Sequence, residues 1–182
     1  MIIPMREPPE EQIRRTIARY CMLCDDGRFE EWADLFDDDA RFHVMGRTYE
    51  GKGVIRAFIE KGQAPDLRGK HLCGSPLIIE DGFGGHARAW TDFAFVSKSN
   101  GISSAGRYHD HLLRGGDDRW RFTLREIVFT GDAPELTDPP VAEEVRREAA
   151  PPRVIALRGG LREVGIGNDR RCDRNQIRRS LT

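Results

Sequence analysis

No aromatic residue follows Phe129. All fifteen Phe, Tyr and Trp side chains lie between Tyr20 and Phe129. A segment without large apolar anchors cannot bury enough surface to offset the entropy of ordering it. The folded domain is therefore expected to span 1–135. Its end is marked by Ala133-Pro134 and Asp138-Pro139-Pro140, which break regular structure. Residues 136–182 are expected to be a disordered tail. From Val141 onward the tail has ten Arg, no Lys and six acidic residues. Two finer features of it are a short polar helix over 141–150 and, as the alternative to a passive tail, a basic interaction arm.

Long apolar runs are also missing. None approaches the ~20 residues that span a bilayer. Met1-Ile2-Ile3-Pro4-Met5 is too short for a signal-peptide core, and Arg6 and Glu7 follow it at once. The expectation is a cytoplasmic protein, in which the four cysteines Cys21, Cys24, Cys73 and Cys172 are thiols rather than a disulfide framework. No single sign of charge dominates. Lys and Arg total 29 against 30 acids, for a net charge of −1, which gives no reason to expect nucleic acid or an anionic membrane as partner. Metal and cofactor signatures are lacking as well. Cys21-x2-Cys24 has no second ligand pair, and Gly165-Ile166-Gly167 follows no strand-like run, so neither a metal nor a cofactor is expected.

What is present is a helix-then-strand order. Ile13, Ile17, Tyr20, Cys21 and Cys24 recur at helical spacing and predict a helix from Pro9 to about Asp25. Glu10 and Glu11 fill its first turn, and Gly27 stops it. A second helix is expected with Phe29, Trp32, Ala33 and Phe36 on its buried face, ended by Asp37-Asp38-Asp39. A strand follows, with Ala40, Phe42 and Val44 on one side and Arg41, His43 and Met45 on the other. Gly51 to Gly62 holds a third helix with Val54, Ile55, Phe58 and Ile59 inward. Period-two patterning then predicts strands near 71–80, 85–98, 102–114 and 119–130. They are joined at Asp81-Gly82, Ser99-Asn100-Gly101 and Gly115-Gly116-Asp117-Asp118. Three helices before an antiparallel meander make an α+β domain whose curved sheet can enclose a small-molecule pocket.

Four polar residues stand out. Tyr20 and Asp25 lie near the end of the first helix, His71 at the start of a strand, and Arg125 on the last strand, five residues after Trp120. An imidazole backed by a carboxylate can remove a proton from carbon, and a phenol and a guanidinium can steady the charge that develops. Each has a plainer alternative. Asp25 or Asp26 can belong to the turn at Gly27, and Tyr20 can be a core residue with a satisfied hydroxyl. His71 can sit at a rim, with His43, His86, His109 and His111 as the other imidazoles. Arg125 can form a structural pair with Asp25 or Asp92. Which of Tyr108 and Asp110 or His109 and His111 faces inward is open.

Residues 10 to about 130 resemble the SnoaL-like branch of the nuclear transport factor 2-like superfamily, a cone-shaped α+β barrel. The resemblance rests on Ile17-Ala18-Arg19-Tyr20-Cys21 with Asp25, on Trp32 to Ala40, on Gly51-Lys52-Gly53-Val54-Ile55, and on His71. Gly106-Arg107-Tyr108-His109-Asp110 and Trp120-Arg121-Phe122 with Arg125 complete it. It implies three N-terminal helices packed on a strongly curved, mainly antiparallel sheet, and a homodimer. Bile-acid dehydratase, hexachlorocyclohexane dehydrochlorinase and scytalone dehydratase in this superfamily expel a leaving group after proton removal. By resemblance, the Tyr-x4-Asp spacing falls on Tyr20 and Asp25, the histidine on His71, the arginine on Arg125, and a second Asp on Asp92. An Asn often found after the His is absent, and Ser75 stands nearest its place. The implied activity is a lyase or isomerase on a hydrophobic ring compound. The catalytic set would be His71, Asp25, Tyr20 and Arg125, with Asp92, Trp90, Tyr108 and Phe58 lining the substrate site. The competing implication is a binding module, or a structural subunit like the small subunit of ring-hydroxylating dioxygenases.

Overall fold

A computed structural model describes residues 7–81, 85–99 and 101–139. Gly82 and Asn100 of the expected turns, the expected helix over 141–150, Gly165-Ile166-Gly167 and Cys172 lie outside the described residues. Helix α1 runs Pro9–Asp26, α2 Phe29–Ala33 and α3 Lys52–Gly62. The strands are β1 Phe36–Val44, β2 Arg47–Glu50, β3 Lys70–Cys73, β4 Leu77–Asp81, β5 His86–Ser97, β6 Gly101–Arg114 and β7 Trp120–Phe129. They form one seven-stranded sheet ordered β2-β1-β7-β6-β5-β3, with β4 also paired to β5. The helices pack on one face of this sheet, giving the expected α+β architecture. None of the described helices is long and apolar enough to cross a membrane.

The first helix follows its sequence signals. Pro9 opens it, and Gly27 closes it in the left-handed region at φ 72°, donating to the Cys24 carbonyl. Its apolar stripe, Ile13, Ile17, Tyr20, Cys21 and Cys24, is buried against the sheet. Several strand boundaries differ from expectation. The second helix stops at Ala33, and Phe36 and Asp37-Asp38-Asp39 belong to β1. Phe36 is drawn into the sheet by β7, where it lies opposite Phe122, and Phe122 N donates to Leu35 O. The β1–β7 ladder is parallel, and its register shifts between Phe36 and Arg41. The expected strand over 71–80 is two strands. The Gly74-Ser75-Pro76 link breaks it, because Pro76 has no N–H for the ladder. Strand β2 was not anticipated. Of the four α3 residues expected inward, Ile55 is fully buried, Phe58 and Ile59 pack partly buried against the core, and Val54 is 54% exposed.

The sheet has an inner face toward the helices and an outer face. Phe93, Tyr108 and Phe122 join the inner core, where Phe93 stacks on Tyr108 with ring centroids 4.3 Å apart. Gly106 lets β6 run close to β7, since a Cβ there would come within 2.2 Å of the Val128 carbonyl oxygen. Gly106→Ala is therefore expected to cost about 1–3 kcal/mol in urea unfolding, an overpacking penalty against backbone that cannot yield.

The outer face is covered locally by residues 135–138, so the expected tail begins with a docked stretch at Leu136–Asp138. Glu126 Oε1 accepts from the Glu135 and Leu136 amides at 2.6 and 3.0 Å. Thr137 Oγ1 donates to Glu126 Oε2 and lies 2.7 Å from His109 Nδ1. Trp90 Nε1 donates to the Asp138 carbonyl at 3.1 Å. This cover buries Glu126 and His109, and His43 beside them, which strand alternation alone would leave facing water.

Burial holds the His109 imidazole below 6.5. Burial pushes the Glu126 carboxyl up, but the bonds from Thr137, Glu135 and Leu136 outweigh it and hold it below 4.5. Both groups bind protons more readily in the unfolded chain, so the stability they contribute is present at neutral pH and lost on acidification. The urea midpoint is expected to fall first as pH drops below 6.5 and again below 4.5. His109→Asn should shrink the first step, and His111, which burial likewise holds below 6.5, carries the remainder.

Candidate active site

Asp25 is the penultimate residue of α1, where a carboxylate faces the negative end of the helix dipole. The compensation comes from β3. His71 Nδ1 lies 2.6 Å from Asp25 Oδ1, and the His71 amide donates to Oδ2 at 3.1 Å. Lys70 Nζ stands 3.8 Å from the same Oδ2. The Asp25 side chain is 4% exposed and that of His71 10%. Both carboxylate oxygens are thus spent on one residue, which fixes the imidazole plane. Nδ1 carries the proton donated to Asp25, so Nε2 is left as the basic nitrogen. Asp26, half exposed, pairs with Lys70 at 3.5 Å and takes no part in this clamp.

Tyr20 lies five residues before Asp25 on α1 and is 2% exposed. Its ring meets Trp32, Tyr108 and Phe122 at centroid distances of 5.2, 5.8 and 5.9 Å, and His71 at 6.4 Å. Burial drives the phenol far above its ordinary range, against the pull of Arg125. It is therefore a neutral hydroxyl, able to donate. Phe95 also packs against His71, with ring centroids 4.8 Å apart. Phe58 stacks on Tyr49 and approaches Phe42, at 3.9 and 6.1 Å, so it reaches Tyr20 only through the Phe42–Phe36 chain.

Arg125 is fully buried. The β6–β7 register sets it opposite Asp110, and the pair is bidentate, with Nε and Nη2 donating at 2.7 Å each. The guanidinium carbon stands 3.8 Å from the Tyr20 ring centre, 4.2 Å from Phe122 and 4.3 Å from Tyr108. Nη1 has no hydrogen-bond partner.

Residues 8–126 match the family model of the SnoaL-like domain. The chain belongs to that family. The fold of this SnoaL-like domain recurs in solved structures. A protein of unknown function from Mycobacterium tuberculosis, Rv3472, is 26% identical, with a TM-score of 0.60 over 75% of this chain and 89% of its own. A candidate scytalone dehydratase from Novosphingobium aromaticivorans is 19% identical, with a TM-score of 0.58 over 70% and 88%. The β subunit of a candidate aromatic-ring-hydroxylating dioxygenase from the same organism is 23% identical, with a TM-score of 0.56 over 70% and 92%. At these identities the last two likenesses speak to fold. No curated protein matches the chain.

Within the SnoaL-like domain, the sequence-predicted residues divide between the two sheet faces. Tyr20, Asp25, His71, Tyr108 and Arg125 meet on the inner side. Asp92 and Trp90 do not join them. They share the outer face of β5, where Asp92 is 68% exposed and pairs with Arg107 at 2.6 Å, and Trp90 lies against His109. The structural partner of Arg125 is neither Asp25 nor Asp92 but Asp110. That residue was named only as a neighbour of Tyr108 on one strand face, and with the inward side of that strand open no sequence signal singled it out. Ser75 is exposed in the β3–β4 link.

Proposed function

We propose that this SnoaL-like domain is a cofactor-independent lyase or isomerase acting on a small hydrophobic ring compound, with His71 as general base. The observation that supports this most is the two-point clamp of Asp25 on His71, closed at both oxygens and almost sealed from water. Asp25 holds the imidazole in the tautomer whose Nε2 can accept a proton and stabilises the imidazolium that results. The substrate proton is one next to a carbonyl or similar activating group. Its transfer to Nε2 leaves an enolate-like charge, which then collapses with loss of a leaving group or with reprotonation elsewhere. The neutral Tyr20 hydroxyl, next to His71, donates to the developing oxyanion or the leaving oxygen. Arg125 acts behind it. Its charge is shared between Asp110 and three aromatic rings, so it orders Tyr20 and Tyr108 and biases the site toward negative charge. Tyr108 and Phe95 supply apolar surface suited to a ring system.

The second reading, a non-catalytic subunit, draws on the likeness to a dioxygenase β subunit. One experiment separates the two. A panel of cyclic ketones and hydroxyketones is incubated with the protein in deuterated water, and exchange at carbon is followed by NMR. The enzyme reading expects exchange or elimination with at least one ring class, absent in His71→Ala. A panel that shows neither, with a ring compound nevertheless retained in native mass spectra, supports the binding module.

A further inference from the structure

Helix α1 and strand β3 are joined by a second contact beside the Asp25–His71 clamp. Cys21 Sγ and Cys73 Sγ lie 3.2 Å apart. Cys21 is four residues before Asp25, on the same helix face, and Cys73 is two residues after His71, on the same strand face. The two thiols differ in access. Cys21 is buried, whereas Cys73 is exposed on an edge strand. We infer that Cys21 and Cys73 are a peroxide-reactive thiol pair, closing a reversible disulfide that ties α1 to β3 next to the dyad.

The chemistry requires one exposed nucleophile and one resolving thiol, and the two positions divide those roles. The shared hydrogen bond favours thiolate at Cys73 and keeps Cys21 protonated, and the charge of Arg125 helps Cys73 further. The Cys73 thiolate attacks the outer oxygen of a hydroperoxide. The O–O bond breaks, Cys73 becomes a sulfenic acid, and the departing alkoxide takes a proton to leave as an alcohol, or as water from hydrogen peroxide. Cys21 then attacks the sulfenic sulfur. The S–S bond forms, and hydroxide leaves with the Cys21 proton as water. Two thiols lose two electrons and one peroxide gains them. Closure to a bond of ~2.05 Å needs the sulfurs to approach by little more than 1 Å. The third described thiol does not compete. Cys24 is 2% exposed, and burial, with Asp25 adding to it, pushes its pKa up to about 12.

The test uses the full-length reduced chain and hydrogen peroxide at near-stoichiometric dose, followed by alkylation and non-reducing peptide mapping. The expected product is an intramolecular Cys21–Cys73 cross-linked peptide, lighter by about 2 Da than the two thiol peptides and restored by dithiothreitol. Cys73→Ser should abolish it. Cys21→Ser should leave Cys73 to oxidise stepwise to sulfenic and sulfinic acid without a cross-link. Far-UV circular dichroism confirms that each variant is folded. The inference is overturned if wild-type Cys73 survives unmodified, stops at sulfinic acid, or links instead to Cys24, Cys172 or a second chain. None of these outcomes depends on whether the domain catalyses a reaction.

Discussion

Replacing His71 by Ala is expected to lower kcat/KM by about 10²–10⁴-fold, the usual contribution of a positioned general base. The loss should fall mainly on kcat, because the imidazole acts on the transferred proton rather than on the apolar body of the ligand. Asp25→Ala removes the group that fixes the imidazole and should cost a comparable amount. The double variant should be barely worse than either single one, since the two residues work as a unit. The stability readout runs the other way. His71→Ala leaves Oδ1 of a carboxylate that is 4% exposed without its imidazole partner and should lower the urea midpoint, whereas the double variant removes that charge and should recover part of it. Single variants that keep wild-type kcat/KM would remove His71 from the chemistry, and two losses that simply multiply would show that Asp25 does not act through it.

The largest stability effect is expected from Asp110→Ala. It leaves the Arg125 guanidinium fully buried with no carboxylate, in a core of Tyr20, Tyr108 and Phe122. Breaking a buried pair from one side typically costs about 3–5 kcal/mol. Substituting both, as Asp110→Leu with Arg125→Met, should cost much less, because the remaining contacts are apolar and no charge is left behind. Chemical denaturation of the two variants measures the difference directly. If the single and double variants are equally stable, the pair is not holding the core charge.

How much of this could be read from the chain depends on the element. Helix α1 was fully specified by local signals, from Pro9 at its start to Gly27 at its end, because capping and amphipathic spacing act within a few residues. The meander from β5 to β7 was clear for the same reason. The Phe36–Asp39 stretch misled because Phe36 satisfies helical spacing from Phe29 and Trp32, while the partner that makes it a strand, Phe122, is 86 residues away. A parallel pairing of that span leaves no local mark. The dyad was visible as a resemblance, and the distance between Asp25 and His71 came only from the packing of α1 on β3. Strand β6 was ambiguous by nature. Tyr108, Asp110 and Leu112 on one side and Arg107, His109 and His111 on the other are equally mixed, and both sides are substantially buried, one by the helices and one by residues 135–138. Asp92, placed by the resemblance, and Trp90 beside it on β5 were misplaced, since a two-residue period assigns companions but not a face.

The acid and the base of the dyad are anchored very differently. Asp25 belongs to an eighteen-residue helix, while His71 sits on a four-residue strand at the end of the sheet, bonded to β5 on one side alone. Fraying at a sheet border needs far less free energy than opening the centre of a fold. Under mild denaturant the Lys70–Cys73 amides should therefore exchange with solvent well before those of β6, so that a warmed or partly denatured sample loses the Asp25–His71 contact while its circular dichroism still reports a folded sheet.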